Sequence, residues 1–437
     1  MNRYEYLQTV QGQLSLYRQR AYNKMWMSIE QEPKSKKGIS AKDKDSFQNK
    51  IVDYLKKYHR RGYRSKVAVQ FRFAVTGKTP PPVQTLVKNY MDLICKPING
   101  SKIGRKYLLL EDDRLVRALF ASYYFAEEPE KPSIEIKISS YRDFLQDMQL
   151  IDKIQNNGFA EDEVYPYTGM EEKYSGNSFS WIKDDEDDFN DPLEELNDWR
   201  LHKEENVKIA GKKGYKAMEN MMIWEVQKKL LKISDYQLGN AFALLNMHSK
   251  QPNDSYPNTL FNTFGEIYKS YIDILPICLD LSHIPLEKGE TNQFKEKVKK
   301  RIKDFKKRYP ILMPLLTPVK AIIFLTRPDF KIIFDYDNLA RKILPIIVDE
   351  MQPPTTLGQY IDTEEIPDTK IKEELAERKK KIAGIKTSVI SYQVIELPRT
   401  ADDPKEGRVR LFLGDGTSYE CYWDKITGYL REWADSI

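Results

Sequence analysis

Residues 334–342 read FDYDNLARK, which sets Asp335 and Asp337 one residue apart and follows them with Asn338, Arg341 and Lys342. The segment closes an apolar run, VKAIIFLTRPDFKIIF, and opens a stretch with helical periodicity. Carboxylates gathered where a strand gives way to a helix have two uses. An aspartate ahead of Asn-Leu-Ala-Arg-Lys suits a helix N-cap, and Asp337 alone fills that role. Capping leaves Asp335 without a task. The other use is metal ligation, because hard divalent cations prefer oxygen. In extended backbone, residues two apart face the same side, so Asp335 and Asp337 would reach one ion together.

Other metal chemistry is poorly supplied. The three cysteines (Cys95, Cys278, Cys421) and four histidines (His59, His202, His248, His283) are scattered, with no CxxC pair. This spacing argues against a disulfide framework or a thiolate zinc site and suits a reducing, cytoplasmic setting. Carboxylate chemistry points to Mg2+ or Mn2+. No apolar run is long enough for a membrane span, and MNRYEYLQTVQGQLSLYRQR lacks the apolar core of a signal peptide.

The net charge is only +5, but it is unevenly spread. Residues 295–308, KEKVKKRIKDFKKR, hold nine basic side chains against Glu296 and Asp304. Residues 50–66, KIVDYLKKYHRRGYRSK, hold seven against Asp53. Segregation of one sign predicts a polyanionic partner, with Lys56, Lys57, Arg60, Arg61, Lys299, Lys300, Arg301, Lys303, Lys306 and Lys307 as its contacts. The bland reading is a pair of amphipathic helices with solvated outer faces. Tyr123, Tyr124 and Phe125 offer stacking side chains, or else core strand residues.

The elements needed to position these groups occur twice. A short strand (MWMSIE), a basic helix (KDSFQNKIVDYLKKYHRR), a strand (KVAVQFRF), a helix (PPPVQTLVKNYMDLI) and two strands (RALFASYYF, PSIEIKIS) fill the first part. The same order returns around ILPICLDLSHIPLEKG, TNQFKEKVKKRIKDFKKR, PVKAIIFLT, FDYDNLARKILPIIVDEM, TSVISYQVIEL and GRVRLFL. This periodicity predicts a duplication in an α+β chain: a lobe over 1–150, a connector over 151–260 and a second lobe over 261–437, each lobe with a small mixed sheet. The connector carries the acidic run DDEDDFNDPLEE, a solvated loop or a polyanion mimic over a basic groove. GYKAMENMMIWEVQKKLLKISDYQLGNAFALLNMH then predicts two helices. Pro345 predicts a kink, Gly414-Asp415-Gly416 a hairpin, and the C-terminus an amphipathic helix with Leu430 and Trp433 on one side.

These motifs resemble the RusA family of Holliday junction resolvases, in which a strand runs into D-x-D-N-x-x-K at a helix start and an aspartate pair follows before the next strand. Asp335, Asp337 and Asn338 match the first motif, with Arg341 at the lysine position and Lys342 beside it. LLLEDDRLVRALFASYYF resembles the second, through Asp112 and Asp113. In the first copy Pro82 and Gln84 replace the D-x-D aspartates, while Lys88 keeps the lysine. The second copy lacks a clear downstream pair and carries YIDTEEIPDTKIKEELAERKKK instead, an inserted helix in which Asp362, Glu364 or Glu365 would supply a third carboxylate.

The resemblance implies a fused pseudo-dimer acting on branched DNA in recombination or repair: a Mg2+-dependent, structure-selective endonuclease, alone or in a higher assembly. Asp335, Asp337 and Asp362 would hold the metal, Asn338 would orient them, and Arg341 or Lys342 would meet phosphate. Lys88, Asp112 and Asp113 would form either a vestigial site, with the acidic pair an ordinary surface turn, or part of a composite one. The competing classes are an inactive junction-binding protein and a subunit of a larger DNA-processing or defence complex.

Overall fold

A computed structural model describes residues 2–76, 80–98, 104–126, 130–155, 159, 192–240, 278–281, 283–285, 290–329, 335–353, 366–382, 389–399, 404–416 and 421–437. Long apolar runs become the central strands β2 (Val67–Val75), β3 (Val116–Phe125), β6 (Val319–Thr326) and β7 (Val389–Leu397). They are buried along most of their length, as strands covered on both faces must be. Outside them lie β1 (Met25–Glu30), β4 (Ser133–Ser140), β5 (Cys278–Asp280) and β8 (Arg408–Asp415). In β1 buried and exposed residues alternate strictly, because one face of that edge strand meets solvent.

All eight strands join one mixed sheet, ordered β1-β4-β2-β3-β7-β6-β8-β5. The expected pair of separate small sheets is therefore a single sheet running through both parts of the chain. Its order reads the same from either edge once β5 to β8 are matched to β1 to β4. β2–β3 and β6–β7 are both parallel, and each shifts register once after its first pair, at Val67/Ala68 and at Val319/Lys320. At the centre β3 and β7 run antiparallel, with Phe120 opposite Gln393. Those two residues stand equally far from the starts of their own strands, so a pseudo-two-fold axis passes between them.

Four helices cover one face: α3 (Ala41–Lys57), α4 (Val83–Cys95), α8 (Glu290–Arg308) and α9 (Tyr336–Met351). The other face carries α2 (Val10–Asn23), α5 (Tyr141–Gln155) and α11 (Tyr422–Ser436); a single turn, α1 (Arg3–Tyr6), precedes α2. The apolar cluster under each layer draws on both parts of the chain. The connector contributes α6 (Pro192–Leu201) and α7 (Lys203–Asn240). Residues 214–240 form one helical run, residues 241–248 of the expected helical pair lie outside the described residues, and a backbone break falls at Gly211 with φ +74°. α7 docks through Gln227 and Ser234, whose side chains donate to backbone carbonyls of Ile311, Pro314 and Leu413. The inserted helix is α10 (Thr369–Ile382). Helix α9 continues through Pro345, and Gly414 and Asp415 lie within β8, so no hairpin turn forms at those two residues. No described helix is long and apolar enough to cross a membrane.

The C-terminal helix clamps the centre of the sheet from below. Trp423 is fully buried, 5.6 Å from Phe120 and 5.8 Å from Phe144 between ring centroids, with Lys137 Nζ 4.4 Å above its ring. Beside it Asp424 accepts from Gln70 at 2.8 Å and pairs with Lys137 at 3.5 Å. Deleting so large a buried ring leaves a cavity that the neighbouring rings cannot fill. Trp423→Ala should therefore lower the unfolding free energy by about 3–5 kcal/mol, read as a shifted urea midpoint.

Candidate metal centre

Asp335 stands at the N-cap of helix α9, and Asp337 sits in its first turn. Neither caps the helix in the expected way. The Asp335 side chain takes no capping hydrogen bond and instead accepts from Asn338 Nδ2 at 3.1 Å. Asp337 is already helical, and the two acids converge through helix-start geometry, not through alternation along a strand. The chain between them is pinned by Tyr336, which is buried. Its phenol donates to the Glu396 carboxylate of β7 and accepts from Arg327 Nη2 at 3.1 Å. Glu396 also pairs with Arg327 at 2.6 Å and with Arg117 of β3 at 3.4 Å. This network fastens the start of α9 to both central strands.

The third acid comes from the other part of the chain. Asp113 opens a 3-10 turn, Asp113–Leu115, immediately before β3, and its neighbour Asp112 caps that turn by accepting from the Arg114 N–H at 2.9 Å. The pairing of β3 with β7 and the packing of α4 on α9 bring Asp113 to Asp335 and Asp337. One carboxylate oxygen of each of the three lies within 4.8 Å of the other two. That spacing suits three ligands around one ion with metal–oxygen distances near ~2.1 Å. Among the described residues this is the one such group of acids. Asp335 Oδ1 is buried with no hydrogen-bond donor, an acceptor that folding has desolvated and left unused.

Lys88 of α4 is the cation of the cluster. Its ammonium lies 3.1 Å from Asp337, 3.4 Å from Asp92 and 3.5 Å from Asp113. The contact with Asp337 Oδ2 is close in distance but poorly aligned, so it acts by charge more than as a hydrogen bond. Partial burial pulls the Lys88 pKa down, but Asp337 and then Asp92 and Asp113 outweigh it and hold the group protonated. One ammonium cannot offset all these acids. Burial, followed by the charge of Asp335, pushes the Asp113 carboxyl up to about 6. Asp337 is 3% exposed.

The cluster opens on a cleft of about 550 Å³ whose rim includes Asp113 and Asp335 together with Lys36, Lys44, Lys96 and Arg114. Asp92 and Asp112 line it too, so acids and cations face one cleft, as a polyanion bridged to the protein by an ion requires. The other expected site residues fall elsewhere. Lys342 turns toward α8 and donates to Thr291 Oγ1 at 3.3 Å; burial and Lys295 lower its pKa. Arg341 is exposed, and no ion pair among the described residues joins it to the acids. Asp362, Glu364 and Glu365 lie outside the described residues.

The two basic helices differ. Lys56, Lys57 and Arg61 at the end of α3 are exposed, while Lys299, Lys303 and Lys306 of α8 gather around Glu350 at 3.5, 4.0 and 3.7 Å. Lys300, Arg301 and Lys307 remain exposed. Tyr123 is core, and Tyr124 and Phe125 are half-buried at the end of β3, so this trio forms no open stacking surface. The buried network of Arg117, Arg327, Tyr336 and Glu396 had one faint signal in the sequence, a lone carboxylate near the end of the apolar run VISYQVIEL. No family model, curated protein or solved structure matches the chain.

The raised pKa of Asp113 has a direct consequence for stability. Its carboxyl binds a proton more tightly in the folded chain, near pH 6, than in the unfolded one, near ~3.9. Its contribution is thus fully present below pH ~4 and is lost as pH rises through 6. In urea unfolding without divalent ions, the stability of Asp113→Asn relative to the parent should rise between pH 4 and pH 7.5. The gain should be on the order of 1 kcal/mol after allowance for solvent screening.

Proposed function

We propose that the chain is a divalent-metal-dependent, structure-selective DNA endonuclease of RusA-like type, built from two divergent copies of one α/β lobe. The observation that carries this reading is the meeting of Asp113 from the first copy with Asp335 and Asp337 from the second. The near-palindromic strand order and the pairing of Phe120 with Gln393 support descent of both copies from a lobe that once paired with itself about a two-fold axis. On this reading the acids before β3 are part of a composite centre and not a relic.

Asp113, Asp335 and Asp337 are the residues that would hold Mg2+ or Mn2+. Bound there, the ion supplies Lewis-acid stabilisation of a phosphodiester and a water of lowered pKa. The chain's own residues do the rest. Asn338 fixes the Asp335 carboxylate. Lys88 stays protonated beside the cluster, and its ammonium is placed to meet a phosphate oxygen once an ion takes over the charge of Asp337. That role passes to Lys88 from Arg341, which forms no ion pair with the acids among the described residues, and from Lys342, which turns toward α8. Lys36, Lys44, Lys96 and Arg114 on the cleft rim hold the flanking phosphates.

Among the described residues the centre is single. Across the pseudo-axis the places of Asp335 and Asp337 are taken by Pro82 and Gln84 at the start of α4. Each chain therefore cuts one strand. With Mg2+, supercoiled plasmid should become open circles without linear product, and a labelled four-way junction should be cut at one strand per bound chain. Asp337→Asn should reduce cleavage at least a hundredfold while junction binding persists, as expected when a ligand to the ion is lost. Cleavage by neither protein, with binding intact, would leave an inactive junction-binding protein. Binding itself should fall about a thousandfold between ~50 and ~200 mM salt if about six phosphates are neutralised. Fluorescence anisotropy of a labelled junction in EDTA measures it, and a flat salt response defeats the polyanion reading.

A further inference from the structure

One carboxylate stands behind both halves of the acid cluster. Glu396 lies next to the end of β7, and a single oxygen of its side chain, Oε2, meets three other groups. It accepts from the Tyr336 phenol, accepts from Arg327 Nε at 2.6 Å, and lies 3.4 Å from Arg117 Nε of β3. Arg327 also donates to the phenol oxygen through Nη2 at 3.1 Å. The Glu396 backbone carbonyl accepts in turn from the Tyr141 hydroxyl at the start of α5. The side chains of Arg117 and Glu396 are each 12% exposed and Tyr336 is buried, so little water competes at this junction.

The two arms of the junction end at different acids. On one arm Tyr336 is the residue between Asp335 and Asp337, and neighbouring Cα atoms are only ~3.8 Å apart. Anchoring the phenol therefore fixes the backbone from which both carboxylates leave. On the other arm Arg117 Nη1 donates to the Arg114 carbonyl at 2.6 Å and to the Val116 carbonyl at 3.0 Å. Arg114 belongs to the 3-10 turn that Asp113 opens. A link between β7 and the end of β6 would need Arg327 alone, and neutralising one carboxylate would need one arginine. The second arginine and the phenol go beyond both needs, and each leads to a ligand segment. Three oxygens sharing one ion have to be placed to within about 0.5 Å, and residues that orient metal ligands commonly alter metal affinity by roughly 10–100-fold.

We infer that Glu396 is the positioning residue of the composite centre. Through Tyr336 and Arg117 it holds the Asp335–Asp337 pair and the Asp113 turn in one register, and so sets the affinity for the ion. This role rests on the metal reading above, and it falls to residues that touch neither the ion nor a phosphate. Because both arms end on the same carboxylate they are coupled, and loosening either one loosens the acid on the other.

Tyr336→Phe is the gentlest probe, since it keeps the buried ring and leaves Glu396 paired with both arginines. Arg117→Lys keeps the charge and gives up the guanidinium that spans Glu396 and the Arg114 carbonyl. Mn2+ binding to the full chain, read from the EPR signal of the free ion, should weaken about tenfold in either variant. The double variant should lose less than about thirtyfold, well short of the roughly hundredfold product expected of independent sites. In metal-free protein, amide exchange should quicken at residues 113–116 in Tyr336→Phe and at residues 335–339 in Arg117→Lys, each on the arm left unaltered. Trp423→Ala, destabilised but on the opposite face of the sheet, should keep Mn2+ affinity within about threefold, which separates positioning from stability. Unchanged Mn2+ affinity in Tyr336→Phe, beside its loss in Asp337→Asn, overturns the positioning role and leaves the metal centre standing. So does a full product in the double variant, or exchange that quickens only on the substituted arm. Mn2+ binding that survives Asp337→Asn ends the metal reading and the positioning role together. Weakened binding in both variants, with no junction cleavage by the parent, keeps the positioned metal centre and ends the nuclease alone.

Discussion

The antiparallel pairing of β3 with β7 is the contact from which the rest of the molecule follows. It joins two four-stranded units into one sheet and places the start of one unit's third strand beside the other unit's second helix. Within its own part of the chain Asp113 meets the Lys88 ammonium at 3.5 Å, and no second acid of the cluster. It acquires Asp335 and Asp337 only because β3 and β7 lie side by side in this register. The pairing is reinforced on both faces. Above it α4 packs on α9, and below it Phe120, Phe144 and Trp423 fill the space under the axis. At one end Glu396 gathers Arg117, Arg327 and Tyr336. A central strand pair with no other support would leave the acids loosely related. This one is fixed from three directions.

Holding the acids together is unfavourable by itself. Three carboxylates within 4.8 Å repel one another, and burial removes the water that would screen them. The rise of Asp113 to about 6 is the local sign of that tension. Lys88 relieves part of it, at the level of a partly buried pair whose Coulomb gain is largely offset by desolvation. A fold selected for stability alone would place apolar residues here, as it does over most of the same face. The geometry makes better sense as a charge deficit kept for a cation. The cations that line the cleft beside the acids fit the same reading, since an ion held between protein acids and phosphates is attracted by both.

The order of elements was legible because each strand of the interior is an apolar run and each outer helix carries a distinct basic face. Pairing across the axis was not. Nothing in RALFASYYF or VISYQVIEL says that these segments meet each other and not strands of their own units, since both read as buried strands with two covered faces. The acids divide accordingly. Asp335, Asp337 and Asn338 were readable as a group because they are local, and Lys88 and Asp113 were readable only as members of a motif. The choice between a relic and a composite centre lay in the packing. Glu396 and Tyr336 look ordinary in sequence because their importance comes from partners distant along the chain.

On the proposed duplication, the two units have diverged in complementary directions. The second keeps the paired acids at the start of α9, whereas the first has Pro82 and Gln84 there. The first keeps Lys88 and Asp113, whereas the second has Arg341, which forms no ion pair with the acids among the described residues, and a sequence over 383–388 that contains no acid. The basic helices follow the same division. α8 spends three of its lysines on Glu350, while Lys56 and Lys57 at the end of α3 are exposed. In a symmetric pair of identical units every such residue must serve both centres, so none can specialise. Fusion into one chain removes that constraint. One composite centre can be completed by acids from either side while the opposite centre is dismantled, and the freed surface of the first unit can be given to the substrate strand. The asymmetry that obscures the repeat in sequence is, on this reading, the means by which a two-fold scaffold directs a single incision.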